Sequence, residues 1–81
     1  MTHLGRGTYE FMVARIAAAR GEHAHAIAAG AEALGEFRLS DAPWWMAKAI
    51  RLMERAGVAD PTLVAEVEDI ERRLGCARPT P

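Results

Sequence analysis

The fold is decided by a stretch rich in small residues, GEHAHAIAAGAEAL at residues 21–34. Within it, Ala26, Gly30 and Ala33 are spaced by four and then three positions, which places all three on one side of a helix. Because that side lacks bulky side chains, a second helix can approach it closely. The stretch therefore predicts a protein built from helices that pack closely against each other.

Helical spacing of apolar residues, together with residues that start and stop helices, predicts four helices along the chain. We expect them at residues 9–20, 22–37, 42–56 and 61–74. Pro43 and Pro61 suit the first turn of the last two helices, where a missing N–H has no cost. Gly57 and Gly75 suit the position just after a helix end. The candidate N-terminal caps are Thr8, Ser40 or Asp41, and Asp60.

The predicted helices are joined by short connections, which make neighbouring helices antiparallel. No segment alternates apolar and polar residues with the period of a strand. We therefore expect an all-α fold of four short helices, arranged as two antiparallel helical hairpins in a single domain at residues 8–75. Residues 1–7 are expected to form a flexible arm, and residues 76–81 a flexible tail.

Each predicted helix carries an apolar stripe that we expect to face the core. In the first helix these residues are Tyr9, Met12, Val13, Ile16 and Ala17, and Phe11 is expected on the outer side. In the second they are Ile27, Gly30, Ala31, Leu34 and Phe37. In the third they are Trp45, Ala49, Leu52 and Ala56, flanked by Met46, Ile50 and Met53. The fourth carries a narrow seam of Leu63, Val67, Ile70 and Leu74.

Charge and composition argue against several classes of function. The chain has 10 Lys and Arg residues against 11 Asp and Glu residues, a net charge of −1, so no nucleic-acid partner is expected. No secretory leader is recognised, and no apolar run approaches the ~18 residues that a membrane span requires. Cys76 is the only cysteine, which rules out an internal disulfide and favours a reducing compartment, the cytoplasm.

The second helix resembles the second helix of a tetratricopeptide repeat (TPR). That repeat has Gly, four further residues and then an Ala-Ile pair. An Ala-Leu pair follows, seven and eight positions after the Ala of Ala-Ile. Here the matching residues are Gly21, Ala26-Ile27 and Ala33-Leu34, with Val13, Ala14 and Ala17 as packing residues in the first helix. The resemblance covers residues 8–38. A step of 34 residues leads from Glu10 to Trp44, where many repeats carry Trp.

The second hairpin departs from that pattern. Lys48 and Arg51 occupy places where the repeat has small or aromatic packing residues, and the fourth helix lacks the Ala-Ile and Ala-Leu pairs. Repeat arrays of this kind usually need about three units for stability, and this chain has at most two. The resemblance therefore implies that a second copy completes the stack as a homodimer.

Histidines are the residues that suggest a metal site. His23 and His25 point about 200° apart on a helix, so one ion cannot readily bind both, and His3 joins them only if the arm folds back. Cys76 has no histidine near it in the sequence to activate it. The acidic residues of the fourth helix, Glu66, Glu68, Asp69 and Glu71, spread around it instead of converging. We therefore expect neither an enzyme nor a bound cofactor or metal.

The adjacent Trp44 and Trp45 diverge by about 100° on a helix, so they cannot both enter one core. Trp45 belongs to the apolar stripe, whereas Trp44 lies on the side of Lys48 and Arg51. Trp44 either packs on the preceding turn or is buried in a partner, since aromatic residues beside Arg are typical of interface centres. The methionines either fill the core or line a groove. The candidate partner-binding residues are Phe11, Arg15, Trp44, Trp45 and Met53.

Together these features predict a non-enzymatic helical module for protein–protein interaction, which self-associates or docks onto a partner protein. An 81-residue chain buries only about 60% of its unfolded surface, and domains of this size often gain stability from a partner subunit. The alternative is a helical bundle that binds a small ligand or metal as an accessory subunit of an enzyme. Its polar groups would be His23, Tyr9 and Arg15.

Overall fold

The computed structural model describes residues 3–75 and places four α-helices in them. Helix α1 spans His3–Ala19, α2 His23–Leu39, α3 Pro43–Arg55 and α4 Pro61–Arg73. No strand occurs in this range, so the predicted all-α fold is confirmed, and the predicted bounds of α2, α3 and α4 agree within two residues. None of these helices is long and apolar enough to cross a bilayer. The predicted tail, with Cys76, lies outside the described residues.

The predicted flexible arm is wrong for residues 3–7, which form the first turns of α1. Gly7 makes this possible, because a Cβ added there would lie 2.6 Å from the Phe37 ring, so only glycine allows this close approach to α2. His3 Nδ1 lies 2.6 Å from Glu36 Oε2. Thr8 does not cap the helix. It lies within α1, and its hydroxyl donates to the carbonyl of Gly5.

The starts of α3 and α4 are built differently. Asp60 caps α4 as predicted, because its carboxylate accepts the backbone N–H of Thr62 at 2.9 Å. The cap predicted for α3 is wrong: Ala42 occupies that position without a side-chain bond. The Ser40 hydroxyl donates instead to the carbonyl of Glu36, and Asp41 adopts a left-handed backbone with φ of 50°. These residues therefore close the end of α2.

Consecutive helices pack against each other, and the first three alternate in direction. Gly7, near the start of α1, lies against Phe37, near the end of α2. Phe37 in turn stacks on Trp45 at the start of α3, with ring centroids 5.4 Å apart. Helix α1 also contacts α3. The described part of the chain is therefore a row of helices in which α1, α2 and α3 are antiparallel to their neighbours, as the short connections predicted.

The small-residue side of α2 is buried, as its spacing predicted. Ala26 and Ala33 are fully buried, and a Cβ added at Gly30 would lie 2.8 Å from Met53 Cγ. Met53 is 3% exposed, so it fills the space that glycine leaves. Three small residues on one side of α2 therefore allow α1 and α3 to approach it closely.

Helix α1 is turned so that most of its predicted core stripe faces solvent, although Ala17 of that stripe is buried as predicted. Tyr9, Met12 and Ile16 were expected in the core, but they are 62%, 61% and 55% exposed. Phe11, expected on the outer side, is 9% exposed and packs against Phe37 and Trp45. The reason is that α1 is apolar on both sides, and the alanine-rich side allows the closer approach to α2. The buried residues of α1 are Gly7, Phe11, Ala14 and Ala17.

Helix α4 is held by packing and by two long-range ion pairs. Among residues 3–75 its backbone lies against α3 alone, and Val67 and Ile70 of the predicted seam are buried. Arg38 of α2 donates through both terminal nitrogens to the Glu66 carboxylate, at 2.5 and 2.7 Å. The second pair joins Arg51 of α3 to Glu71. These pairs fix the position of α4 at the end of the row.

Candidate functional site

A groove of about 500 Å³ lies between α1, α3 and the end of α4. We call it the cationic groove, because its lining includes four cations and only one carboxylate. Its polar lining residues are Arg15, Lys48, Arg51, Arg55 and Glu71, and its other lining residues are Phe11, Trp44, Ala47, Leu52 and Leu74. A volume of this size accommodates several side chains of a partner or one small molecule.

Aromatic packing shapes one side of the cationic groove. Phe11 lies edge-on to Trp45, with ring centroids 5.7 Å apart, and Trp45 is half-buried. Trp44 projects beside it and is 47% exposed. The ammonium of Lys48 lies 4.7 Å from the centroid of the Trp44 ring, a cation–π contact. The groove therefore combines an apolar wall with a positively charged rim.

Arg51 is already occupied by this chain's own carboxylates. Its Nε and Nη2 donate to Glu71 at 3.1 and 2.7 Å, and its Nη1 donates to Glu54 at 2.8 Å. Hydrogen bonding to Glu71 is the main cause that raises the pKa of the Arg51 guanidinium above its ordinary value, and Glu54 adds to it. Arg51 therefore ties α4 to α3, and its charge is largely compensated.

The other three cations of the groove have no carboxylate partner among the described residues. Arg15 and Arg55 form no ion pair, and Lys48 contacts only the Trp44 ring. Outside the groove, Arg20 is the one other cation of residues 3–75 that has no carboxylate partner. Three of the four uncompensated cations of residues 3–75 thus line one groove, although the whole chain has a net charge of −1.

A second surface lies on the opposite side of α1. We call it the α1 outer face and define it as Tyr9, Met12 and Ile16, which are spaced by three and four positions and so share one side of the helix. All three side chains are more than half exposed. Its three side chains carry no charge at neutral pH. Spacing alone identified this stripe, but it could not show that the stripe faces solvent.

The structure brings together three of the five predicted partner-binding residues. Phe11, Arg15 and Trp44 all line the cationic groove. Trp45 lies behind them, stacked on Phe37, and Met53 is buried against Gly30 in the core. Glu71 of α4 and Leu74, which directly follows α4, were not predicted there, because the sequence gives no signal that the end of α4 borders the same groove as α1.

The structure does not bring His3 to His23 and His25, because His3 lies beside Glu36 near the end of α2 and the other two lie at its start. His3 pairs with Glu36, and His25 Nδ1 lies 3.4 Å from Glu22 one turn away. His23 is exposed at the first turn of α2. Within residues 3–75, no three side chains of His, Cys, Asp or Glu lie close enough to hold a metal ion.

The fold and its surfaces define a small all-α protein built from a row of helices with a cationic groove on one side. Comparisons with protein-family models, with curated proteins and with solved structures found no match to this chain. The similarity to tetratricopeptide repeats therefore stays a prediction. The function has to be argued from the two surfaces themselves.

Proposed function

We propose that this protein is a non-enzymatic helical interaction module that self-associates through the α1 outer face. The observation that carries the proposal is that α1 is apolar on two opposite sides. Packing against α2 covers only one of them, while Tyr9, Met12 and Ile16 remain more than half exposed. Exposed apolar stripes of this kind are typical of interaction sites.

A second copy is the partner that this surface suits. Its side chains are uncharged, so two copies can bring the same face together without like-charge repulsion, which a twofold-symmetric interface requires. Tyr9 and Ile16 are seven residues apart, a distance of about 10 Å along the helix axis. Two such stripes can therefore lie along each other over two turns.

The expected affinity is modest. Two copies would bury six apolar side chains, each contributing about 1–2 kcal/mol. Association must offset a loss of translational and rotational freedom of at least about 4 kcal/mol. The difference is at most about 8 kcal/mol, which corresponds to a dissociation constant of about 1 µM or weaker. The dimer is thus expected to form and dissociate readily.

Sedimentation equilibrium from about 1 to about 500 µM tests this proposal over the expected range. The wild-type mass should rise from monomer towards dimer, and Met12→Glu should remain monomeric because two carboxylates would meet at the interface. Leu39→Glu is the matched control, since Leu39 of α2 is 68% exposed and lies outside the α1 outer face. A monomeric wild type across the range, or an equal effect of both variants, would refute self-association through this face.

A further inference from the structure

We infer that the cationic groove binds an acidic, amphipathic helical segment of a different protein. This inference concerns a different surface from the α1 outer face and does not depend on self-association. It is based on the charges that the fold leaves uncompensated, on their spacing, and on the apolar wall beside them.

The uncompensated charges indicate an acidic partner. Arg15, Lys48 and Arg55 line the groove without a carboxylate partner in the described chain, whereas Arg51 in the same groove has two. Cations that line one groove repel one another, so an anionic partner gains from reducing this repulsion as well as from each new ion pair. A basic or neutral segment neither reduces this repulsion nor forms new ion pairs with the three cations.

The spacing of these cations indicates an elongated partner. Lys48 and Arg55 are seven residues apart on α3, so their backbones are separated by about 10 Å along the helix axis. One carboxylate does not span that distance, but two carboxylates seven residues apart on a partner helix have the same separation. Arg15 reaches the groove from α1, on its other side.

The apolar wall explains why the partner segment should be amphipathic. Trp44 and Leu74, which are 47% and 39% exposed, are the accessible apolar residues of the groove, whereas its other large apolar residues, Phe11 and Leu52, are buried. An apolar side chain between the two carboxylates of the partner helix would contact Trp44 and Leu74. This is the arrangement by which amphipathic helices bind grooves, with apolar anchors on one face and charges that set orientation.

A second copy of this chain does not supply such a segment in the described residues. Among the described residues, the helical carboxylates without a partner are Glu10 on α1, Glu32 on α2 and Glu68 on α4. Each lies on a different helix, so no helix presents two of them two turns apart. The occupant is therefore expected to be another protein.

Titration with designed peptides, followed by tryptophan fluorescence, tests the inference because Trp44 lies at the groove and is half exposed. The probe is an alanine-rich helical peptide of about 15 residues with glutamate at its fifth and twelfth positions and leucine at its eighth and ninth. The control peptide has glutamine in place of both glutamates. The acidic peptide should bind at least about tenfold more tightly, and the difference should shrink as salt is raised.

Matched protein variants locate the binding. Lys48→Gln combined with Arg55→Gln should weaken binding of the acidic peptide about tenfold, since exposed ion pairs typically contribute about two- to fivefold each. Arg20→Gln is the control, because it removes the one uncompensated cation of residues 3–75 outside the groove. It should leave the affinity unchanged. Circular dichroism confirms that each variant remains helical.

Three outcomes would overturn the inference. The two peptides could bind equally, Arg20→Gln could weaken binding as much as the double variant, or octanoate could displace the acidic peptide at equal concentration. The last result would assign the groove to a small amphipathic anion instead. The titration is repeated on the Met12→Glu variant, which should bind the acidic peptide as wild type does. Failure of self-association and failure of groove binding are thereby separated.

Discussion

The cationic groove and the α1 outer face differ in what they can bind, although both involve α1. The groove carries three uncompensated cations, so two copies of it repel each other and it suits an acidic partner of another kind. The outer face consists of three uncharged side chains, so it is compatible with itself. The charge pattern of a surface thus decides whether self-association or binding of another protein is favoured.

The largest expected effect tests which side of α1 is buried. Phe11→Ala should lower the free energy of unfolding by about 3 kcal/mol, because it removes a buried ring that contacts Phe37 and Trp45. Met12→Ala should change it by less than about 0.5 kcal/mol, since Met12 is exposed. Urea unfolding followed by circular dichroism measures both. A larger loss of stability in Met12→Ala than in Phe11→Ala would mean that Met12, and not Phe11, lies on the buried side of α1.

The next effect tests how closely α1 approaches α2. Gly7→Ala should destabilise the protein by about 1–2 kcal/mol, because the new Cβ would lie 2.6 Å from the buried Phe37 ring. Gly35→Ala is the control: nothing lies within 4 Å of its added Cβ, and it should stabilise α2 by about 0.5–1 kcal/mol. Thermal unfolding distinguishes the two. Equal stabilisation by both would contradict the close contact that orients α1.

A smaller effect separates the compensated cation of the groove from the uncompensated ones. Arg51→Gln should cost about 1 kcal/mol of stability, because it breaks partly buried pairs with Glu71 and Glu54. Because this change removes the Arg51 partner of the Glu71 carboxylate in the groove, peptide binding is tested with Arg51→Gln combined with Glu71→Gln, which keeps the net charge of the groove and should change the affinity for the acidic peptide less than about twofold. Arg38→Gln, which breaks a more exposed pair with Glu66, should cost less stability. If the Arg51 and Glu71 double variant weakened peptide binding more than the Lys48 and Arg55 double variant does, the distinction between compensated and uncompensated cations would be wrong.

The smallest effect contrasts the two surfaces in salt. Raising sodium chloride from about 50 mM to about 500 mM shortens the screening length from about 14 Å to about 4 Å. Self-association through the uncharged outer face should then change by less than about twofold, as measured by sedimentation. Binding of the acidic peptide should weaken markedly over the same range. Equal salt dependence would contradict the contrast between the surfaces.

Local signals predicted most of the helical architecture. Pro43 and Asp60-Pro61 mark the helix starts, and Gly57 adopts a φ of 114° just after α3, as expected of a residue that ends a helix. These features depend on near neighbours in the chain. The start of α1 was missed, because its stability comes from contacts of Gly7 and His3 with the distant end of α2.

The candidate groove was predicted only in part. Helical periodicity placed Trp44 on the same side of α3 as the cations of that helix, and this made Trp44 a candidate binding residue. Phe11 and Arg15 were named, but Phe11 was assigned to the wrong side of α1. Glu71 and Leu74 could not be found from spacing, because only the packing of α4 on α3 brings them to the same groove as α1.

The sequence by itself determined the four helices and the small-residue side of α2, because helix propensity, end signals and helical periodicity depend on residues within one or two turns. Tertiary structure decided which of the two apolar sides of α1 is buried, and therefore which surfaces remain for partners. A helix that is apolar on both sides carries no local signal for that choice. The choice follows from how closely each side can approach the neighbouring helices, which depends on residues far apart in the chain.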